Sequence, residues 1–438
     1  MTESIKPPRK FRPEPFSYHE VVELEVDSLS NLGAGVGRVQ LSGLSSEEGE
    51  RHWVVFVPFS LPGERVRARI WKNEASCSHA DLVEVINHSP TRRQPRCSLF
   101  TTCGGCQYQH LDYHEQLRWK QQQVTELLER MAGITHPVEK TIPSPQPWNY
   151  RSKITPHFQK PRPDRNLNIG FLATGSRNRI IDVPQCAIAM NTLNDALPEE
   201  RIRIQQTAAQ GKFRKGATLL LRAASASVHT NPREVVEEQV GNLRFRFLAG
   251  DFFQNNPFIL PAFVSYVAGE AATTNRFLVD AYCGSGLFAL SLAQYFESVA
   301  GVEVSESSAD WARQNALQNN LENVTILTAS AERIFEQVTF PPNRTSVIVD
   351  PPRKGCGEDF LQQLFSFKPQ RVVYVSCNPS TQIRDLQVFC TEANYTPPSH
   401  AWGDRLRAAF RGPSSGGQSM NPTQVVYMAL VSGILPGW

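Results

Sequence analysis

The feature that most constrains the fold is a series of short apolar runs in the second half of the chain, from about residue 258 onward. Each run is followed by loop and helix signals, a pattern typical of strands buried on both faces of a parallel sheet. The pattern predicts a doubly wound α/β sheet, in which ligands bind at the carboxyl ends of the strands. Five runs are found, at 277–280, 298–302, 324–327, 346–349 and 371–375.

The 438 residues are too many for one hydrophobic core, so several domains are expected. Residues 15–88 contain alternating or β-branched runs, which predict a small β-barrel with Gly33, Gly35 and Gly37 at a turn between strands. Barrels of the oligonucleotide-binding type bind single strands along one face, but many small barrels bind nothing. The barrel alone therefore leaves its role open.

The remaining chain divides into two further predicted domains. Residues 91–250 predict an irregular α+β middle domain, which includes a helix over 112–131 that Gly133 ends. Residues 251–438 carry the predicted parallel sheet.

The composition excludes some functional classes. No run of eighteen apolar residues occurs, and the N-terminus lacks an apolar segment, so we expect a cytoplasmic protein without membrane association. No obligate protein partner is predicted. The formal net charge of +3 is weak support for a polyanionic partner. Arg92, Arg93 and Arg96 are equally compatible with phosphate contact and with a solvated loop.

A glycine-rich turn follows the first run of the sheet, at residues 280–286. Gly284 and Gly286 allow a tight turn close to a ligand, and Glu303 at the end of the second run can accept hydrogen bonds from ribose hydroxyls. The pattern alone does not exclude NAD, although Ala289 stands where a dinucleotide fold prefers a third glycine. An acidic residue, here Asp280, followed by this turn is typical of class I S-adenosylmethionine methyltransferases.

Two polar motifs follow the fourth and fifth runs, at residues 350–355 and 376–379. Both lie at predicted carboxyl ends of strands, so Asp350 and Cys377 are expected to face one cleft. Addition of a thiolate to C6 of uracil makes C5 nucleophilic enough to accept a methyl group, after which a base removes the C5 proton. Cys377 alone would be taken for an inert core thiol, but its polar neighbours favour a functional role.

With these motifs, the chain resembles the RNA 5-methyluridine methyltransferase family over nearly its whole length. The resemblance implies that the barrel is a TRAM domain that binds RNA and that Cys377 is the nucleophile, with Asp350 contacting the cofactor or the target uracil. The motif at 251–256 is similar to the family motif in which a glutamine, here Gln254, lies at the cofactor and the target base. The implied S-adenosylmethionine site further includes Tyr282, Gly284, Gly286, Leu287, Glu303, Ser330 and Asp350.

Four cysteines form a separate set, consisting of Cys97, Cys103, Cys106 and the distant Cys186. Four thiolates suit zinc or an iron-sulfur cluster on chemical grounds. The resemblance to the ribosomal-RNA branch of the family implies a [4Fe-4S] cluster, with an organising role because methyl transfer needs no redox step.

The C-terminus departs from the family pattern. The family glutamate that removes the C5 proton is missing, since no Glu follows Glu392 and Asp404 is the only acidic residue in the tail. Three explanations stay open: another base such as Asp404 or a water molecule, a decayed active site, or a change of reading frame after about residue 395.

The sequence therefore predicts methylation of uridine C5 in RNA, with 23S ribosomal RNA as the leading target and transfer RNA as the first alternative. An alternative from a different functional class is a protein that binds RNA and an iron-sulfur cluster but no longer turns over substrate. Cytosine C5 methylation is a weaker alternative, because those enzymes place the cysteine in Pro-Cys or Thr-Cys motifs and Cys377 follows Ser376.

Overall fold

The computed structural model describes residues 7–41, 52–162, 166–272 and 274–392, together with the backbone of Gln424–Leu430. Two compact units are present: one comprises Met1–Gln123 and Gly170–Val183, and the other comprises Val124–Ile169 and Pro184–Leu435. The three-domain division at 15–88, 91–250 and 251–438 stays a prediction. In the described part of the chain, no helix combines the length and the apolar character that a membrane crossing needs.

The first unit contains the predicted barrel, which is closed and has the strand order β1-β2-β3-β5-β4. Alternate residues of each strand point into its core, where Val55, Val66 and Ile70 are fully buried. The strands are β1 (Val21–Leu29), β2 (Ala34–Gln40), β3 (His52–Pro58), β4 (Arg65–Asn73) and β5 (Cys77–Asn87).

The predicted turn position of three barrel glycines is correct only for Gly33, whose φ of 86° lies in the left-handed region. Gly35 and Gly37 lie within β2 instead. A Cβ on Gly37 would lie 2.2 Å from the carbonyl oxygen of Glu25 in the neighbouring strand. Gly37 is therefore needed for close packing of strands and not for a turn.

Arg92 is engaged inside the first unit. Its guanidinium donates to both carboxylate oxygens of Glu64, at 2.5 and 2.7 Å, and the Glu64 side chain is fully buried. Burial alone would raise the pKa of Glu64, but hydrogen bonds from Arg92 and the backbone N–H of Leu61 outweigh it, so the pKa is lowered. This cation therefore neutralises a buried carboxylate, and phosphate contact by the arginine cluster stays a prediction.

The predicted helix over 112–131 is confirmed. Helix α1 (Tyr113–Leu127) continues as one π-helical turn, Leu128–Ala132, and ends at Gly133. Gly133 has a φ of 63°, and its N–H donates to the carbonyl of Glu129, which is a common way for a helix to end.

The middle part of the chain consists of short strands and one long helix. Strands β13 and β14 form an antiparallel hairpin, β8 pairs with β9, β7 pairs with β10, and β11 lies between β12 and β6. The elements are β6 (Lys153–Ile154), β7 (His157–Phe158), β8 (Ile169–Leu172), β9 (Ile180–Asp182), α2 (Asn191–Ala209), β10 (Ala217–Thr218), β11 (Leu221–Ala224), β12 (Ser227–His229), β13 (Val235–Val240) and β14 (Leu243–Leu248).

The second unit contains the predicted sheet, with the strand order β17-β16-β15-β18-β19-β20 and parallel pairing throughout. All five apolar runs are strands, and β20 is a sixth that the sequence did not predict. The strands are β15 (Phe277–Asp280), β16 (Ser298–Glu303), β17 (Val324–Thr328), β18 (Thr345–Val349), β19 (Arg371–Ser376) and β20 (Gln424–Leu430).

Helices cover the sheet on both faces. Successive strand residues belong to different core clusters, as with Leu278 on one face and Val279 on the other. This double burial explains why the runs are continuously apolar and not alternating. The helices are α3 (Leu260–Ala271), α4 (Leu287–Ser291), α5 (Glu306–Gln318), α6 (Ile334–Gln337), α7 (Glu358–Phe367) and α8 (Pro379–Glu392).

Candidate active site

A cleft of about 870 Å³ opens at the carboxyl ends of the parallel strands. This is the position at which doubly wound sheets bind ligands. Nearly all the residues that the sequence placed at the site line this one cleft: Gln254, Tyr282, Gly284, Leu287, Glu303, Ser330, Asp350 and Cys377. Gly286 does not line the cleft and acts through the turn described next.

The glycine-rich turn is held by two carboxylates. Glu303 accepts the N–H of Gly284 at 3.0 Å, and buried Asp280 accepts the N–H of Ala289 in α4 at 2.9 Å. Gly284 and Gly286 have φ values of 54° and 97°, which side chains rarely adopt. The carboxylates therefore fix a turn whose backbone can lie close to a bound ligand.

Glu303 has capacity left for a ligand. Its two oxygens accept one backbone hydrogen bond each, from Gly284 and from Ser305 at 2.7 Å. A carboxylate has about four lone-pair sites, so two hydroxyl groups of a ribose can still donate to it. The residues present therefore fit the adenosine part of S-adenosylmethionine.

Two acidic residues at the carboxyl ends of β15 and β18 have raised pKa values. Burial raises the pKa of Asp280 to about 7, and the nearby charge of Glu303 adds to the effect. Burial also raises the pKa of Asp350 to about 7, and the charge of Asp280 adds to it. Both carboxyl groups are therefore expected to change protonation state near neutral pH.

Cys377 directly follows β19 and is partly buried. Burial raises the pKa of its thiol above the usual value, and the Asp350 carboxylate acts in the same direction. The charge of Arg353 and a hydrogen bond from it oppose this rise. The sequence did not identify Arg353 as a partner of the thiol, because the two lie on loops after different strands.

The loops after β18 and β19 are tied together. The carbonyl oxygen of Arg353 accepts from the Asn378 side-chain amide at 3.2 Å and from the Thr381 hydroxyl at 3.1 Å. The backbone that carries Arg353 is thereby fixed beside the residue that follows Cys377.

Asp385 supports the residue 350–355 motif from below. One of its oxygens accepts from the Cys356 N–H at 2.8 Å and from the Tyr374 hydroxyl at 2.7 Å. The other accepts from the Arg384 guanidinium at 2.6 Å. A Cβ on Gly355 would lie 2.6 Å from Asp385, so the loop passes too closely for a larger residue. No sequence pattern indicates this support, because Asp385 lies in α8, far along the chain from the motif.

The segment that leads to Gln254 is held by two cations. Lys153 donates to the Gly250 carbonyl at 2.7 Å, and buried Arg222 donates to the carbonyls of Ala249 and Asp251 at 2.8 and 2.7 Å. These bonds hold the backbone just before Phe252, whose side chain is 72% exposed at the cleft.

The four predicted cluster cysteines occupy loops. Cys97 and Cys103 have their N–H groups bonded to the Gln109 side chain and the Leu99 carbonyl, at 3.1 and 2.8 Å. Cys186 is held by the Asn194 side chain, which bonds both its N–H and its carbonyl.

The donor set fits a [4Fe-4S] cluster by its chemistry, since four thiolates are its usual ligands. Tetrahedral zinc would hold sulfurs about 3.8 Å apart, from bonds of about 2.3 Å. Within the described residues, the sulfurs of Cys97, Cys103 and Cys106 do not gather within 4.8 Å of one another.

Asp404 and most of the tail lie outside the described residues, while the described backbone of β20 pairs in parallel with β19.

Comparisons with known proteins agree with this architecture. The family model for tRNA (Uracil-5-)-methyltransferase matches residues 164–393. The tRNA (uracil(54)-C(5))-methyltransferase of Schizosaccharomyces pombe is 39% identical over 85% of this chain and 72% of the relative. Its namesake in Saccharomyces cerevisiae is 33% identical over 86% and 69%.

A solved structure shares the fold. It is the Pyrococcus abyssi tRNA (uracil-54, C5)-methyltransferase in complex with S-adenosyl-L-homocysteine, with a TM-score of 0.60 and 22% identity over 84% of this chain and 93% of that one. The predicted resemblance and fold class are thereby confirmed. The chain belongs to the tRNA (uracil-5-)-methyltransferase family and is an S-adenosylmethionine-dependent RNA (uracil-C5)-methyltransferase.

Proposed function

We propose that this enzyme methylates C5 of a transfer-RNA uridine through a covalent bond between Cys377 and C6 of the base. The observation that carries the proposal is the shared cleft, in which Cys377 and Asp350 meet the glycine-rich turn and Glu303. The nucleophile, a carboxyl group and the methyl-donor residues are therefore within one ligand-sized space.

The cofactor residues divide into those that hold ribose and those that surround the rest of the molecule. Glu303 accepts the ribose hydroxyls, while Gly284 lets the backbone approach. The remaining proposed contacts are Gln254, Tyr282, Leu287, Ser330 and Asp350. S-adenosylmethionine supplies the electrophilic methyl group.

The thiolate of Cys377 adds to C6, and the electron pair of the C5=C6 bond moves toward C5 and O4. C5 then attacks the methyl carbon, and the leaving sulfur takes the electron pair of the broken carbon–sulfur bond. Loss of the C5 proton to a base restores the double bond and expels the Cys377 thiolate. Arg353 stabilises the thiolate before addition and after release.

Asp350 supports these reaction steps best when its carboxyl group is protonated. A neutral carboxyl removes the negative charge that raises the pKa of Cys377, and it can donate a hydrogen bond to a carbonyl oxygen of the target base. The uridine reaches the cleft by rotating out of its stack.

Transfer RNA is proposed as the target because the two named yeast relatives, at 39% and 33% identity, are both enzymes for uracil 54 of transfer RNA. We accordingly propose uridine 54. Ribosomal RNA, the leading expectation from the four cysteines, stays a prediction that the same experiment tests.

The test incubates anaerobically purified protein with S-adenosylmethionine and unmodified transfer RNA or 23S ribosomal RNA. Nucleosides are then analysed by mass spectrometry. We expect 5-methyluridine in transfer RNA, none with Cys377→Ala, and none in transfer RNA with cytidine at position 54. Cys283→Ala is the matched control, because this second thiol of the cleft is buried and its pKa is raised well above the usual value.

The outcome also shows whether the reaction is completed without the family's C-terminal glutamate. A covalent protein–RNA adduct without product would mean that the missing glutamate stalls the reaction after methyl transfer. Neither product nor adduct in either RNA would contradict the proposed mechanism and leave an RNA-binding role.

We further propose that Cys97, Cys103, Cys106 and Cys186 hold a [4Fe-4S] cluster that organises the RNA-binding part of the protein. The donor set supports the proposal. Anaerobically purified protein should contain about four iron and four sulfide per chain, and Cys186→Ser should lose them. Equal iron in the variant, or zinc in place of iron in the wild-type protein, would contradict the assignment.

A further inference from the structure

A second metal-ligand group lies at the hairpin turn between β4 and β5 of the barrel. The ligand atoms of Glu74, Cys77 and His79 all lie within 4.8 Å of one another. Oε1 of Glu74 is 3.4 Å from Nε2 of His79, and Oε2 of Glu74 is 3.9 Å from Sγ of Cys77. None of these residues belongs to the four-cysteine set or to the cleft.

The hairpin itself brings these side chains together. Ser78 and Ala80 point into the barrel core and are fully buried, so the alternation of β5 places Cys77 and His79 on its outer face. The N–H of Glu74 donates to the carbonyl of Cys77 at 2.8 Å and closes the turn. The carboxylate is thereby brought over the same face.

Buried hydrogen bonds anchor both ends of the turn. Ser78 donates to the side-chain oxygen of Asn73 at 2.7 Å and accepts from the Trp53 indole at 2.9 Å. Asn73 donates in turn to the Phe16 carbonyl at 2.7 Å. The three ligand side chains therefore extend from backbone that is fixed on both sides.

The imidazole of His79 is also oriented. Its ring stacks on Phe56 with centroids 5.4 Å apart, and Trp71 covers it at 5.6 Å. A ligand whose ring is already fixed loses little conformational freedom when it binds a metal.

The distances fit a tetrahedral ion. Zinc binds sulfur at about 2.3 Å and nitrogen or oxygen at about 2.0–2.2 Å, which places its ligands about 3.3–3.8 Å apart. The 3.4 Å between Oε1 of Glu74 and His79 lies within that range, and the three ligand atoms, all within 4.8 Å of one another, need only small side-chain rotations to reach it. Thiolate, imidazole and carboxylate together are the donor set of a borderline-soft divalent cation.

We propose that Glu74, Cys77 and His79 form a site for zinc or a similar divalent cation, with a fourth position open to water or an external ligand. Lys72 now pairs with Glu74, but its side chain is half exposed and can turn into solvent when a divalent ion replaces its charge. The metal would crosslink the turn between β4 and β5.

The test is a titration of the full-length protein with Co²⁺, followed by competition with Zn²⁺. Wild-type protein is compared with Cys77→Ser and His79→Ala, and Ser76→Ala is the matched control because this exposed residue lies in the same turn. Any cobalt held by the other cysteines is common to all four proteins and cancels in the comparison.

We expect wild-type protein and Ser76→Ala to bind one equivalent more than Cys77→Ser and His79→Ala. The additional equivalent should show thiolate-to-cobalt absorption that zinc removes. Glu74→Gln, which keeps the side-chain shape, should weaken this binding at least tenfold and guards against a folding defect in the other variants. Equal stoichiometry in wild-type protein and both ligand variants would overturn the proposal, leaving only hydrogen bonds among the three side chains.

Discussion

Single residues in the cleft set the charge state of the nucleophile. Burial and Asp350 raise the pKa of Cys377, and Arg353 opposes them. The fraction of reactive thiolate at neutral pH therefore depends on a side chain 24 positions away in the sequence.

Replacing Arg353 by Gln is expected to slow the alkylation of Cys377 by iodoacetamide about three- to tenfold at pH 7.5. Loss of the cation raises the pKa of the thiol and so lowers the thiolate fraction. The alkaline rise of methylation activity should move to higher pH as well. Lys354→Gln is the control, and an equal effect in both variants would exclude a specific role for Arg353.

At the scale of elements, α4 depends on the glycine that precedes it. Gly284 and Gly286 both lie in the left-handed region, but their surroundings differ. A Cβ on Gly284 would meet nothing within 4 Å, whereas one on Gly286 would lie 2.4 Å from Leu290 in α4.

Gly284→Ala is expected to lower the free energy of unfolding by about 1–2 kcal/mol, the cost of a left-handed alanine. Gly286→Ala should cost more, by about a further 1–3 kcal/mol, because it adds overlap in a packed core. Urea unfolding without ligand measures both. Equal losses of unfolding free energy in the two variants would mean that α4 shifts easily enough to make room for the alanine side chain at position 286.

The barrel turn after β3 relies on the ion pair between Glu64 and Arg92. Arg92→Met is expected to destabilise the protein by about 3–5 kcal/mol, because it leaves the buried Glu64 charge unpaired. The variant should recover part of this loss at acid pH, where Glu64 is protonated.

The neighbouring Arg93→Met provides the control. Arg93 pairs with Asp112 at the surface, where its side chain is 54% exposed, so its removal should cost at most about 1 kcal/mol. Thermal melts at several pH values measure both variants. A small loss in Arg92→Met would show that water reaches Glu64.

At the scale of the whole molecule, the sheet places two acidic residues at the carboxyl ends of its two central strands. The pKa values of Asp280 and Asp350 are both raised to about 7, so the folded protein binds protons there that the unfolded chain releases. The stabilisation that proton binding by these two carboxyl groups contributes is fully present at low pH. It is lost as the pH rises through about 7.

Asp350→Asn is expected to flatten the pH dependence of stability. Between pH 5.5 and 8 the ionisation of Asp350 lowers the free energy of unfolding by about 2 kcal/mol. The amide of Asn does not ionise, so the variant does not lose this stability. Asp359→Asn, at an exposed position in α7, is the control. An unchanged slope in Asp350→Asn would show that Asp350 is ionised throughout this range.

The sequence by itself determined the features that depend on neighbours along the chain. Five strands of the sheet, α1 with its glycine stop, and the motifs at 280–286, 350–355 and 376–379 were predicted, because apolar periodicity and turn residues act locally. The rule that ligands bind at strand ends then placed these motifs at one cleft.

Only the tertiary structure decided which distant residues meet. Three contacts join segments that lie far apart in the chain and follow no periodic pattern of residues. They are Arg353 with Cys377, Asp385 with the loop at 350–355, and Arg92 with Glu64. The same holds for Gly37, which looked like a turn residue and instead allows two strands to touch. Such contacts arise from long-range packing and burial, and these also set the pKa values, so no local pattern in the sequence encodes them.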